Sequence, residues 1–387
     1  MTKKTVIAFD DVALQLGNSG IARYWRELHS AIYENGVFED LDIEPRYLSR
    51  TDFKTNFSGS HLSFPKYDFR FPAADRELIS AYCVDQKVDL FVSSYYTFST
   101  SCPNMMIVYD LIPEVFEFNR LNRGWMEREL SFYASKSFFA ISQNTKKDLN
   151  AFYPHTLNSH IGIGYPGIDF EVFKRSQSIN SRQKSRRYFV CVGSRYGEGN
   201  YKNGNLLVNA LSNMDRKSID FNVLFIGGEE LTQDERDLVS RGIVKIDRVT
   251  LNDKELVETI IGAEALIYPS KYEGFGMPPL EALSVGTPVI TARNSSLPES
   301  VGELGIFISS ESWEELASTM LNTDFLEIRD QIKEQGPKRA ADFSWKQTAN
   351  SFGNSLKKTV EQLDTDSLKR RSSIISEYTN IAKNLQH

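Results

Sequence analysis

Cysteine and histidine are scarce in this chain, with three cysteines and five histidines in 387 residues. Cys83, Cys102 and Cys191 are scattered and form no CxxC pair, which excludes the usual structural zinc arrangement and fits a reducing compartment. They read as buried or idle thiols. His29, His61, His155, His160 and His387 show neither HxxxH nor HExxH spacing, so no metal site is expected. Long apolar runs are missing too. No stretch approaches the roughly 18 residues of a membrane span, and the apolar run after Lys4 is too short for the core of a signal peptide. The expectation is a cytoplasmic protein, any contact with a membrane being peripheral and on its inner face. Basic charge is not in excess: 51 acidic residues face 45 basic ones, a net charge of -6 that gives no drive toward nucleic acid. A GxSxG elbow is absent, which argues against an acyl-transfer hydrolase. GNSGIA, from Gly17, lacks the GxGxxG spacing of a dinucleotide fingerprint, and this weakens a dehydrogenase reading.

What is present is ordinary globular composition, 41% hydrophobic and 25% charged, at a length that argues for two domains or three. Short β-branched and aromatic runs start near Thr5, Val88, Met105 and Ser137, each followed by polar or helix-like sequence. After Arg187 come YFVCVG, FNVLFIGG, GIVKIDRV, ALIYPS, GTPVITA and GIFISS, separated by segments such as DKELVETIIGA with helical spacing. The fold class is therefore α/β, two parallel-sheet units in tandem. Between them, residues 165–187 are rich in turn residues, serine, lysine and arginine, and the boundary falls there. This basic run reads as a solvated linker or as a contact for a membrane surface or an acidic acceptor. From Ser344 the pattern is helical to the end, with a break at DTDS.

The most informative stretch runs from Tyr268 to Ile290, YPSKYEGFGMPPLEALSVGTPVI. A strand ends near Ser270, Gly274 and Gly276 let backbone approach a ligand, and Pro278 and Pro279 suit the start of a helix reaching Val285. Amides around Phe275, Gly276 and Met277 then form an anion site for a phosphate or diphosphate at the positive end of that helix. Glu273 and Glu281 flank the turn, and carboxylates accept well from vicinal diols. A lone Glu281 would read equally as a residue that stabilises the helix dipole.

Taken whole, this string resembles the family 4 glycosyltransferases, retaining enzymes with the GT-B fold whose hallmark is EGFGxPxLEAxxxGxPVI; residues 273–290 and the following NSSLPE match it. The resemblance implies two Rossmann-like domains facing a central cleft: residues 1–170 for the acceptor, 171–362 for a nucleotide-sugar donor, and 363–387 as a helix returning to the N-domain. VGSRYGEGNYKNGNLLVNAL, from Val192, is similar to the family's turn in which an Arg and a Lys grip the diphosphate, here Arg195 and Lys202, with GEGNY as an insertion. GNSGIARYWRELHSAI resembles the GIGRY segment and implies that Gly20 meets the donor phosphate; Arg23 reads as well as a surface cation. VYDLIPEVF resembles HDLIP, with Tyr109 where many members have His and Asp110 retained. Tyr109 and Asp110 could serve donor or acceptor, or equally pack and cap a turn. Arg120, Arg123, Trp125 and Arg128 lie on an amphipathic segment that could face an acceptor or a membrane, or be plain surface. FSWKQTA resembles the family's closing motif, for which Trp345 reads as structural.

The implied activity is metal-independent hexosyl transfer with retention, from a nucleotide-diphosphate sugar to a hydroxyl of a glycan or lipid-linked acceptor, with no cofactor. Mannose from GDP-mannose and bacterial surface polysaccharide synthesis, as in lipopolysaccharide, are the favoured setting. In that scheme Lys202, Arg195, Glu273 and Asp110 act at the reacting centre, and Gly20, Gly274, Phe275, Gly276, Met277 and Glu281 hold the donor. A catalytically silent nucleotide-sugar binding subunit and a GT-B sugar-nucleotide epimerase or phosphorylase are the alternatives.

Overall fold

Apolar runs of four to seven residues that alternate with amphipathic helices bury both faces of a sheet, and that is how they are used here. The computed structural model describes residues 4–52, 59–119, 122–168 and 187–362, divided into two units. One holds the described residues up to Pro166 together with those from Trp345 to Gln362; the other holds the described residues between Gly167 and Ser344.

The first unit is a seven-stranded parallel sheet of β1 (Thr5–Asp10), β2 (Ile43–Ser49), β3 (Ser60–Ser63), β4 (Leu90–Ser93), β5 (Asn104–Val108), β6 (Ser135–Ala140) and β7 (His160–Ile163), ordered β3-β2-β1-β4-β5-β6-β7. β2, β3 and β7 were not among the strands read from the sequence. Pro45 lies inside β2 and normally argues against a strand between two neighbours. It is tolerated because pairing with β3 begins only at Arg46, so that side of the strand asks no amide of residue 45. The helix Trp345–Glu361 packs on this sheet: Thr359 donates to Ser137 at 2.8 Å, and Phe352 meets Phe139 edge-on at 5.0 Å between centroids. This corrects the expected boundaries, which put residues 345–362 with the donor domain and the break at 170 rather than 166. The helix expected at 363–387 and most of the basic linker lie outside the described residues.

The second unit is a six-stranded parallel sheet of β8 (Arg187–Val192), β9 (Phe221–Ile226), β10 (Lys245–Val249), β11 (Leu266–Tyr268), β12 (Val289–Ala292) and β13 (Ile306–Ile308), ordered β10-β9-β8-β11-β12-β13. All six expected strands are present. Alternate residues of β8 feed two cores: Phe189 and Cys191 pack on one face, Tyr188 and Val190 on the other. Strand order turns back between β8 and β11, and crevices outside the carboxyl ends of strands at such a switch point are where open α/β sheets bind ligands.

Candidate active site

Lys202 stands at that switch point of the second unit. Its Nζ donates to both carboxylate oxygens of Glu273, at 2.8 and 3.0 Å, and to the Tyr268 hydroxyl at 3.3 Å. Tyr268 is the last residue of β11, so β11 itself aims this hydroxyl. The rings of Tyr201 and Tyr268 lie 5.1 and 5.5 Å from the ammonium and add cation–π attraction. Burial works against the charge of Lys202, but the Glu273 carboxylate and the two tyrosines outweigh it and hold the group well above the ordinary lysine range. Desolvation foremost, and then the Glu273 carboxylate, push the Tyr268 phenol up against the lowering pull of the Lys202 ammonium. A small pocket between β8 and β11, lined among others by Val192, Ser194, Arg195, Lys202, Tyr268 and Ser270, opens beside this cluster.

The inserted GEGNY forms a turn with Gly197, Gly199 and Asn200 at positive φ, and Asn203, two residues beyond it, is at positive φ as well. Its ends are tied down: Asn203 donates to the carbonyls of Pro269 and Ser310 at 3.1 and 2.8 Å, and the Lys271 amide donates to the Tyr201 carbonyl at 2.8 Å. The insertion thus delivers Lys202 and Tyr201 to the end of β11.

Arg195 is occupied differently. Its guanidinium donates to both oxygens of Glu235, at 2.9 and 3.2 Å, and to the carbonyls of Glu229 and Glu230, and its Cζ lies 4.1 Å above the Phe225 ring. Only Nη1 is buried without a partner. Glu235 closes a capping box with Thr232 at the start of the helix Gln233–Ser240, so Arg195 also anchors that helix.

Glu273 is stapled by its backbone, its amide donating to Ser295 Oγ at 2.9 Å and its carbonyl accepting from Ser296 Oγ at 2.7 Å. The following helix is Met277–Ser284, two residues earlier at its start than expected and one at its end. Gly276 caps it at φ 93°, and a Cβ there would lie 2.8 Å from Leu297 Cδ2. Pro278 and Pro279 carry no amide hydrogen, so the first turn presents fewer donors than a typical helix N-terminus. Phe275 is buried against Phe343, and Glu281 is buried on the fifth residue of the helix. Gly274 sits in the turn between Glu273 and Phe275. Bare backbone ends two neighbouring strands: nothing lies within 4 Å of a Cβ built on Gly193 or Gly227. These glycines, Tyr201, Tyr268 and Glu235 were not picked out from the sequence. The strand-terminal VGS and IGG were the available signal for the glycines.

In the first unit, Gly20 opens the helix Gly20–Glu34, capped by Ser19, whose hydroxyl accepts from the Ala22 amide. Arg23 lies on the first turn of that helix. Tyr109 is 3% exposed, wedged edge-on against Tyr24 and Tyr95, with its hydroxyl unpartnered. Asp110 accepts from the Ile112 amide at 3.1 Å, two residues on, in the turn that leads into the short helix Ile112–Val115. Both residues thus have contacts within the first unit, Tyr109 in packing and Asp110 in a local turn. Arg128 is no surface cation: it is buried, pairs with Glu114 and donates to the Asp110 carbonyl at 2.7 Å. Arg123 is exposed and Trp125 half-buried, whereas Arg120 lies outside the described residues. Trp345 packs on Tyr24 at 5.3 Å. Arg248, in β10, donates to the Gly228 carbonyl at 2.9 Å and pairs with Glu230. Among the described residues no three His, Cys, Asp or Glu side chains gather in a metal-binding cluster, and no helix is long and apolar enough to cross a membrane.

Residues 173–339, most of the second unit, match the glycosyl transferases group 1 family. Over 105 residues the chain is 34% identical to the O-antigen chain mannosyltransferase B of Escherichia coli, covering 26% of this chain and 28% of that one. The chain thus spans about a quarter of the length of that relative. The sucrose-phosphate synthase of Thermosynechococcus elongatus superposes with a TM-score of 0.69 at 15% identity, covering 93% of this chain and 100% of that one. Anabaena Alr3699/HepE, solved in complex with UDP and glucose, superposes with a TM-score of 0.62 at 15% identity, covering 92% and 100%. The fold is GT-B. Residues 173–339 are thus similar to a glycosyl transferases group 1 domain, and about a quarter of the chain is similar to a mannosyltransferase.

Proposed function

We propose that this chain is a retaining hexosyltransferase that moves mannose from a nucleotide-diphosphate sugar to a hydroxyl of a glycan or lipid-linked acceptor. One observation carries the reading: a largely buried ammonium, Lys202, stands with a carboxylate, Glu273, at the switch point of the second sheet, where an anionic ligand with hydroxyl groups would meet both. Similarity to an O-antigen mannosyltransferase supports mannose and a surface-polysaccharide setting.

The sugar C1 to phosphate oxygen bond breaks while the acceptor oxygen bonds C1 on the same face. The acceptor proton passes to the departing diphosphate oxygen, and retention follows. Charge grows on the diphosphate, so a fixed cation lowers the barrier without any metal, and Lys202 supplies it. Arg195 contributes through its unpartnered Nη1, the rest of its charge being neutralised by Glu235. Glu273 accepts from sugar hydroxyls, Glu281 from the ribose, and the turn from Gly274 to Met277 seats the phosphates. Asp110 holds its own turn in the first unit through the Ile112 amide.

The test is a thermal-shift panel of GDP, UDP and ADP and their common sugar conjugates, followed by a nucleotide-release assay. A ligand at 100 times its dissociation constant stabilises the native state by about 2.7 kcal/mol, a shift of a few degrees. GDP and GDP-mannose are expected to shift the melting temperature, and GDP-mannose to be turned over; no shift with any nucleotide would refute the reading.

A further inference from the structure

Lys202 has three N–H groups, and all three are engaged: two by Glu273, at 2.8 and 3.0 Å, and one by Tyr268 at 3.3 Å. Neither partner can retreat through its backbone, because Ser295 and Ser296 pin Glu273 while the Pro269 and Ser310 carbonyls pin the loop of Lys202 through Asn203. The side chains are 16% and 9% exposed, so parting them leaves two poorly hydrated charges that must find new partners at once.

A nucleotide sugar brings both kinds of partner, an anion for the ammonium and hydroxyl donors for the carboxylate. A bare nucleoside diphosphate brings only the first. We propose, building on the donor-site reading above, that the Lys202–Glu273 pair is a latch that distinguishes donor from product. The donor phosphate takes Lys202, the sugar hydroxyls hold Glu273 away, and loss of the sugar in transfer lets the pair close again and expel the nucleotide. Tyr268 is a positioning residue that keeps the third N–H aimed along β11 while the latch is shut.

Isothermal titration of GDP, UDP and ADP into the full chain tests this in a double-mutant cycle of Glu273→Gln and Lys202→Met. Where wild type binds a nucleotide, Glu273→Gln should bind it on the order of tenfold tighter, the size of coupling usual for contacting charges. The gain should vanish in the Lys202→Met background. Simple repulsion between Glu273 and the diphosphate would instead preserve the gain without Lys202, and that result overturns the latch. So does an unchanged or weaker affinity in Glu273→Gln. Glu273→Asp is a second check: it keeps the charge but shortens the arm, so the latch requires severalfold tighter binding whereas repulsion requires none. If wild type binds none of GDP, UDP and ADP, the donor-site reading fails and the latch falls with it; if wild type binds one of them and the cycle run with that nucleotide shows no coupling, only the latch falls.

Discussion

A single side chain's environment decides what its charge can do, and the second unit offers a contrast. Lys202 and Arg195 both look like phosphate-gripping cations in sequence, yet Arg195 is tied to Glu235 and to two backbone carbonyls while Lys202 meets the side chains of Glu273 and Tyr268, which a phosphate would replace in the proposed donor site. Lys202→Ala is therefore expected to lower kcat by roughly 100-fold to 1,000-fold, the usual cost of removing one group that stabilises transition-state charge. Arg195→Ala should act mainly through stability, by leaving Glu235 buried and unpaired; steady-state kinetics beside thermal melts separate the two. Gly276→Ala forces a side chain to φ 93° and against Leu297, and a loss of about 1 to 3 kcal/mol in denaturant unfolding is the expected result. In the first unit, Asp11 is buried with one oxygen accepting from the Trp25 indole, and desolvation pushes its carboxyl from 3.8 up to about 7. The proton is held more tightly folded than unfolded, so the stability this provides is full below pH 3.8 and is lost as pH rises toward 7. Asp11→Asn should then match wild type near pH 4 and exceed it at pH 8 by up to about 4 kcal/mol, at 1.36 kcal/mol per unit. Calorimetric melts across that range check the sign.

Elements here are held by contacts too close for alternatives. In β7, a Cβ on Gly162 would lie 2.0 Å from Ser355 Oγ and 2.8 Å from the Phe139 ring, so the glycine admits the helix Trp345–Glu361 to the sheet. Gly162→Val should lift that helix away and cost several kcal/mol, as overpacking of a rigid contact does, measurable as lost protection of its amides from hydrogen exchange. β1 and β2 are joined at their carboxyl ends by Arg50, which is fully buried and donates to Asp10 at 2.5 and 2.8 Å and to Asp75 at 2.6 and 2.9 Å. Replacing Arg50 with Met strands two carboxylates, and a loss of 3 to 5 kcal/mol, on the order seen for broken buried pairs, is expected in urea unfolding. Element boundaries were legible where strands were uniformly apolar, as in β8 or β12. They were hidden in β2, whose polar residues and Pro45 mask a strand that the neighbouring β1 and β3 complete, and in β3, whose four residues are all exposed.

For the molecule as a whole, the second unit is one continuous segment with a complete sheet and its own cores, whereas the first needs the returning helix. A fragment of residues 167–344 is expected to unfold cooperatively by itself, while a chain ending at 344 leaves Phe352, Leu356 and their sheet contacts missing and should bind a dye for exposed apolar surface. Local sequence was enough for the α/β alternation, the six strands of the second sheet, the presence of a helix after the Gly274–Gly276 turn, though not its first residue, and the motif from Glu273 to Ile290. These depend on neighbours in the chain: hydrophobic period, glycine torsion and proline geometry. Only the tertiary structure decided which carboxylate each cation pairs with, that Tyr268 shares Lys202 with Glu273, that Arg128 is buried against Glu114 and the Asp110 carbonyl, and that residues 345–361 belong to the first sheet. Each of those rests on partners tens to hundreds of residues apart. Their meeting follows from strand order and loop ties, which no local pattern encodes.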